Sequence, residues 1–454
     1  MFEPERIHYL NRNSACHRDY VLYWMGASQR TICNHALEYA AYQANLLNKP
    51  IVVYFGLTPD FPEANLRHYD FMLKGLAEVD AELKRRGIKF VLQLTSPEIG
   101  ATILAKNACM VITDMGYLAI QRKWRKYTAQ KIDCPLIQVE SDVIVPVGIV
   151  SNKREYAART IRPKILKHLD QFMKPLISID LKKDSTKLAF DGLDLTDIDN
   201  IIDKLKIDKA VKPSEYFLPG QMQAQKLLDE FVSDKLINYD TDRNDPSIDG
   251  LSNMSPYLHF GQISPLDIAM KVKQHQSESA DAYLEELIIR RELSMNFTHF
   301  TDNYDKYSCL PGWAKATLQS HKKDKRQYVY TLEQLENAKT HDDCWNAAQN
   351  QMLTTGKMHG YMRMYWGKKI IEWTNAPQTA FKFMLYLNNK YEIDGRDSNG
   401  FCGVAWCFGN HDRPWTPRSI FGTIRYMNEK GLQRKFDTAK YIEKIYTLEK
   451  KDHK

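Results

Sequence analysis

Between residues 20 and 140, short apolar runs alternate with longer amphipathic stretches. Tyr20–Met25, Ile51–Phe55, Lys89–Leu94, Met110–Thr113 and Leu136–Val139 are short and apolar, as buried strands are. The stretches between them, about 29–47, 66–86, 97–107 and 119–131, are amphipathic and long enough for helices. Strands separated by helices pair in parallel, so the pattern predicts a Rossmann-like, doubly wound parallel α/β sheet. A GxGxxG fingerprint is missing, which argues against ordinary dinucleotide binding. Residues 141–240 change texture. Ser178–Asp208 carries eight aspartates interleaved with lysines and few large apolar residues, and reads as a connector wrapping the surface, with room for short helices. From about residue 215 helical periodicity dominates, and a mostly α domain is expected. The pattern divides the chain into an α/β domain (1–145), a connector (146–214) and a helical domain (215–454).

Composition narrows the class. The chain has 454 residues, 43% hydrophobic and 26% charged, the balance of a globular protein. No run approaches the ~18 apolar residues of a membrane span, and no secretory signal is visible, so a cytoplasmic location without membrane contact is expected. The eight cysteines form no CxxC, and Cys402 and Cys407 have no second pair to complete a metal site, so free thiols and no metal are expected. Net charge is +7, and residues 408–454 hold 11 Lys/Arg against 6 Asp/Glu. Five of the eight tryptophans lie between Trp345 and Trp415. Cation and indole gathered in one part of the chain suggest contact with nucleic acid.

Four segments of the helical half carry candidate chemistry. In Gly356–Trp373, His359, Arg363, Trp366, Ile370 and Trp373 are spaced 4, 3, 4, 3 and share one helix face. Trp366 and Trp373 would lie ~10 Å apart along the axis. The stripe reads as core, but Arg363 on it needs a partner, because a buried unpaired charge is too costly. Indoles at this spacing could also pass an electron in steps, with Trp345 as a third member. In Tyr283–Phe297, Glu286, Arg290, Leu293 and Phe297 fall near one face, where Glu286 and Arg290 could be a plain surface pair. Ser252, Asn253 and Ser255 precede Pro256, which suits either simple N-capping or an anion site at a helix start. Tyr391–Trp415 reads as a long irregular loop with turn chemistry at Asp394–Asp397, and long loops in compact domains are usually functional.

Together these segments resemble the photolyase/cryptochrome superfamily and, within it, the class II cyclobutane pyrimidine dimer DNA photolyases. The carrying motifs are LSNMSPYLHFGQIS (251–264), EELIIRRELSMNF (285–297), WNAAQNQMLTTGKMHGYMRMYWGKKIIEW (345–373), YEIDGRDSNGFCGVAW (391–406) and RYMNEKGLQRKFD (425–437). YWMGASQR, FMLKGL and REYAARTIRPK match in the N-terminal half. The resemblance implies an antenna domain followed by a helical FAD-binding domain, reduced FAD as the catalytic cofactor, and a deazaflavin or folate antenna. It implies light-dependent splitting of pyrimidine dimers in UV-damaged double-stranded DNA by electron transfer to a flipped-out lesion, and we expect a monomer.

By the same resemblance Tyr239, Leu251, Ser252, Asn253, Met254, Ser255, Arg291, Arg363, Asp394 and Arg396 match FAD-binding positions, and Asn388 faces the reactive flavin nitrogen. Arg363 and Asp394 match a salt-bridged pair beside the flavin. Trp366, Trp345 and Trp373 match the photoreduction chain, with Trp366 nearest the flavin, and Glu286 matches the glutamate that hydrogen-bonds the dimer. Arg243, Arg290, Met364, Trp406, Arg413, Trp415 and Arg425 match lesion and DNA positions, although Arg290 stands where some relatives have a tryptophan. A cryptochrome photoreceptor on the same fold is the main rival. Glu286 and the short stretch after Phe436 speak against it. A six-four photolyase is a second, but no histidine pair that it would need at the lesion is evident, and a redox flavoprotein or nucleic-acid-binding module without photochemistry is a third.

Overall fold

The computed structural model describes residues 2–452. Six strands form one sheet: β1 (Ile7–Tyr9), β2 (Tyr20–Trp24), β3 (Ile51–Leu57), β4 (Lys89–Leu94), β5 (Ala108–Asp114) and β6 (Leu136–Val139), in the order β1-β6-β5-β2-β3-β4. All neighbours are parallel except β1, which pairs antiparallel with β6. The expected all-parallel sheet is corrected at this edge. Three residues are too short to show an alternation, and β1 is held by its backbone ladder, as well as by the buried Arg6 guanidinium just before it, which donates to the carbonyls of Glu140, Val143 and Ile144.

The central strands are buried on both faces, which is why they read as continuous apolar runs. Val21 and Tyr23 of β2 enter one core, and Tyr20, Leu22 and Trp24 enter the other. The first helix begins at His35 rather than 29, because Asn34 caps it by accepting from Ala36 N and Leu37 N.

The strand order reverses between β2 and β5, and at such a switch point the strands' carboxyl ends leave a crevice. Here the Asp114 carboxylate accepts from Gly26 N (2.9 Å), Ala27 N (2.7 Å) and Tyr23 Oη (3.0 Å). The amides that hold phosphate in dinucleotide folds are thus filled by the protein's own anion, consistent with the missing glycine fingerprint.

The connector is more than a wrap. Its helix Ala158–Phe172 is 15 residues long and drives Ile161, Ile165 and Phe172 into the core of the helical domain. Past it the chain runs along the free edge of β4, with Ser185 N donating to Gly87 O and Leu193 N to Leu92 O, so the sheet edge is covered. The remaining regular elements are helices, joined by irregular stretches such as 408–428. The stretch expected as one irregular loop, Tyr391–Trp415, contains the helix Ser398–Cys407. Its glycines disguise it: Asp397 caps it through Gly400 N, and burial against the neighbouring helices outweighs weak propensity. The two domains are locked by single cations. Arg67 reaches the carbonyls of Lys212, Met352, Leu353 and Tyr391, and Arg30 bridges Asp142 and Gly261 O. Among the described residues no helix is long and apolar enough to cross a membrane.

Candidate active site

A cavity opens in the helical domain. The helices Gly360–Glu372, Pro377–Tyr391 and Ser398–Cys407 and the π-type turn Glu285–Arg290 supply most of its walls. It brings together Glu286, Arg290, Arg291, Arg363, Met364, Trp366, Asn388 and Trp406. A Cβ added at Gly360 or Gly403 would meet nothing within 4 Å, whereas one at Gly400 would come within 3.1 Å of Asn388 Nδ2. Met352, Met358 and Met384 add apolar surface. A large, flat, mostly apolar group with a few polar edges fits such a space.

Arg363 has the partner its place on the stripe demands, and one more. Its guanidinium donates to Asp394 at 2.9 and 3.1 Å and to Glu392 at 2.7 Å. Burial raises the Asp394 carboxyl, but Arg363, with Ser255 and Lys357, outweighs burial and holds it below the ordinary range. Glu392 is pushed up to about 8 by burial, with Asp394 adding and Arg363 opposing. Sequence reasoning missed Glu392; the signal was a second carboxylate two residues before Asp394.

The three indoles form a continuous path. Trp366, on the cavity wall, stacks on Trp345 at 6.4 Å between centroids and 9° between planes, and Trp345 meets Trp373 edge-on at 5.6 Å. Hydrogen bonds fix two of them: Trp366 Nε1 donates to Gln349 Oε1 (2.8 Å) and Trp345 Nε1 to Trp366 O (3.0 Å). Beyond Trp373 lie Tyr330 (5.3 Å) and His341 (5.2 Å), hydrogen-bonded to each other at 2.7 Å, and then Tyr328, 39% exposed. The sequence reading did not single these out, since their segment lacks helical spacing.

At the cavity mouth Glu286 pairs with Arg243 (2.9 Å), not with Arg290, which turns to Glu285 and lies over the Trp406 ring. The π-type turn widens the helix there and breaks the simple i,i+4 relation. Arg243 also covers the buried Tyr239 ring, which packs edge-on against Tyr283, and Tyr283 Oη donates to Ser252 Oγ. Leu251–Ser255 therefore sits behind the cavity, with Ser255 against Asp394 and Asn253 at a left-handed φ of 58°. Arg291 donates to Asp142 O. Arg396 points away and lines a second cavity, at the β2/β5 switch point, held by Asn389 O. Trp415 stands outside on the surface, 40% exposed, between Arg413 (5.5 Å) and Arg425 (5.2 Å).

A doubly wound α/β domain joined to a helical domain, with an indole stack ending at a cavity beside a buried Arg–Asp pair, defines a photolyase/cryptochrome-type protein. A DNA photolyase family profile matches residues 21–180. The deoxyribodipyrimidine photo-lyase of Methanothermobacter thermautotrophicus is 51% identical over 99% of both chains, and that of Potorous tridactylus is 39% identical over 98% of this chain and 85% of its own. Among solved structures, a class III photolyase from Agrobacterium tumefaciens superposes with a TM-score of 0.74 at 17% identity, covering 96% of this chain and 88% of its own. An archaeal photolyase from Sulfolobus tokodaii, described with two FAD molecules, gives 0.71 at 15%, covering 94% and 89%. This chain belongs to the DNA photolyase family, whose members are light-dependent DNA-repair lyases.

Proposed function

We propose that this protein is a class II cyclobutane pyrimidine dimer photolyase with FAD in the helical cavity. The observation that carries the reading is the cavity itself: Trp366, Arg363 and Asn388 on its walls, Glu286 and Arg243 at its mouth. Reduced FAD, when bound there, supplies the photoexcited electron that splits the dimer and receives it back. Arg363 with Asp394 would hold the flavin ring, Asn388 would meet its edge, and Tyr239 and Leu251–Ser255 would flank the rest. The path Trp366, Trp345, Trp373 would carry electrons inward, with Tyr330, His341 and the exposed Tyr328 between Trp373 and the surface.

Basic residues gather DNA through its phosphates. Extruding a damaged pair costs less than extruding an intact one, which favours the lesion. Arg413 and Trp415, exposed and stacked, would fill the vacated space, while Glu286 hydrogen-bonds the dimer where charge develops. The second cavity, walled by Trp24, Phe55 and Trp124, lies at the crevice where open α/β sheets bind ligands, and we assign it to a folate or deazaflavin antenna.

The test is repair of a duplex carrying one thymine dimer, in light and in darkness. Wild type should repair only in light. Glu286→Ala should lower repair yield more than DNA affinity. Light-independent turnover would refute the reading.

A further inference from the structure

The loop that carries Arg413 and Trp415 is held by a segment of the connector to which nothing above assigns a role. Three bonds join Arg154–Tyr156 to Asn410–Asp412. The Arg154 guanidinium donates to Asn410 Oδ1 while also reaching Cys309 O (2.9 Å) and lying over the Phe297 ring (4.8 Å). Tyr156 Oη donates to Asp412 O at 2.9 Å. His411 Nδ1 lies 2.8 Å from Tyr156 O; a carbonyl only accepts, so Nδ1 carries the proton.

The loop needs holding. Gly409 and His411 both have left-handed φ, 95° and 58°, and every residue from Arg413 to Ser419 is exposed. A non-glycine residue in that region is strained unless its surroundings fix it. An exposed loop without anchors would also have to be ordered when DNA arrives, which weakens binding. The anchors lie immediately before Arg413 in the chain, and Trp415 adds its own bond to Asp412 (3.2 Å).

We propose that Arg154 and Tyr156 are positioning residues that pre-order the Arg413–Trp415 loop for entry into duplex DNA beside an extruded lesion. The inference rests on the photolyase reading. Neither side chain needs to touch the dimer or the cofactor, so their effect belongs to the step that opens a duplex. A single strand bearing the same dimer has no vacated space to fill and should not feel the clasp.

The experiment measures affinity of the FAD-loaded protein for a duplex with one thymine dimer and for the same dimer in a single-stranded oligonucleotide. Tyr156→Phe should weaken duplex binding roughly fivefold, the worth of one neutral hydrogen bond, with single-strand affinity unchanged. Adding Arg154→Met should deepen the duplex loss, again without a single-strand effect. Tyr156→Phe removes one exposed hydroxyl, so it keeps the test decisive if the double variant folds poorly. Unchanged duplex affinity, or an equal loss on both substrates, would overturn the clasp. A wild type that does not prefer the dimer duplex over undamaged DNA would sink the photolyase reading and the clasp with it.

Discussion

Glu292 offers a prediction whose sign and size follow from its surroundings. It is 2% exposed, where the helical domain meets the end of the α/β domain. One oxygen accepts from Ile144 N (2.6 Å), and Oε2 finds no partner among the described residues. Burial drives its carboxyl from 4.5 up to about 8, against the backbone donors and Arg291. A raised acid binds its proton more tightly in the folded state than in the unfolded one. Stability from this group is therefore full below pH 4.5 and is lost as pH climbs from 4.5 towards 8. At ~1.4 kcal/mol per unit, the loss between pH 4.5 and 7 is roughly 3 kcal/mol. Glu292→Gln keeps the shape and the acceptor for Ile144 N but cannot ionise. It should match wild type near pH 4 and be more stable at pH 8, the gap opening as pH climbs from 4.5 towards 8. Urea unfolding at four pH values, followed by tryptophan fluorescence, reads this directly. Other titrating groups cancel in the difference. A constant offset across the range would refute the argument.

Three more predictions concern the site. Trp366→Phe should abolish photoreduction of oxidised flavin, followed by its absorption, while chemically reduced enzyme keeps repairing; unchanged photoreduction would remove Trp366 from the path. Arg363→Met leaves Glu392 and Asp394 buried without their cation, and should cost about 3–5 kcal/mol in urea unfolding and lower FAD retention. A loss below about 1 kcal/mol would mean the cluster is solvated like a surface pair. Affinity for damaged duplex should fall steeply with salt, and Arg425→Ala should reduce the slope of log affinity against log salt by about 1. An unchanged slope would take Arg425 off the phosphate backbone.

What was legible in the sequence followed from burial. Lys89–Leu94 and Leu136–Val139 coincide with β4 and β6 to the residue, because each sets buried apolar residues (Phe90–Leu92, Leu136 and Ile137) between polar turns. The demand that Arg363 have a partner was readable from its place on the Trp stripe, although Glu392 as a second partner was not. β1 was invisible because a three-residue edge strand is specified by the backbone of β6 and by Arg6, not by its own side chains. The helix Ser398–Cys407 was invisible because two glycines interrupt it: at Gly400 a side chain would crowd Asn388, and Gly403 faces open space. The Glu286–Arg243 pair joins residues 43 positions apart across two elements, and no local spacing announces that.

The charges of the cavity settle into an arrangement that suits a site where one electron leaves and returns. Two buried carboxylates, Glu392 and Asp394, face the Arg363 guanidinium and the buried Lys357 amine, and buried charges are costly unless they are paired. Burial raises Glu392, with Asp394 adding and Arg363 opposing, whereas Arg363 holds Asp394 below its ordinary range, so Asp394 is the firmer anion of the two. Burial also pulls the nearby Lys357 down, with Arg363 pushing the same way. At the mouth Glu286 and Arg243 again form a one-to-one pair. Charge appearing on a dimer in this cavity would meet held cations, Arg363 with Asp394 and Arg243 with Glu286, and fixed dipoles. Stabilisation would then come from groups already in place, with little reorganisation during the transfer. Disturbing the count should therefore shift flavin potential and repair yield together. Glu392→Gln, which removes the raised carboxyl, should move both less than Asp394→Asn, which removes the low carboxylate paired with Arg363.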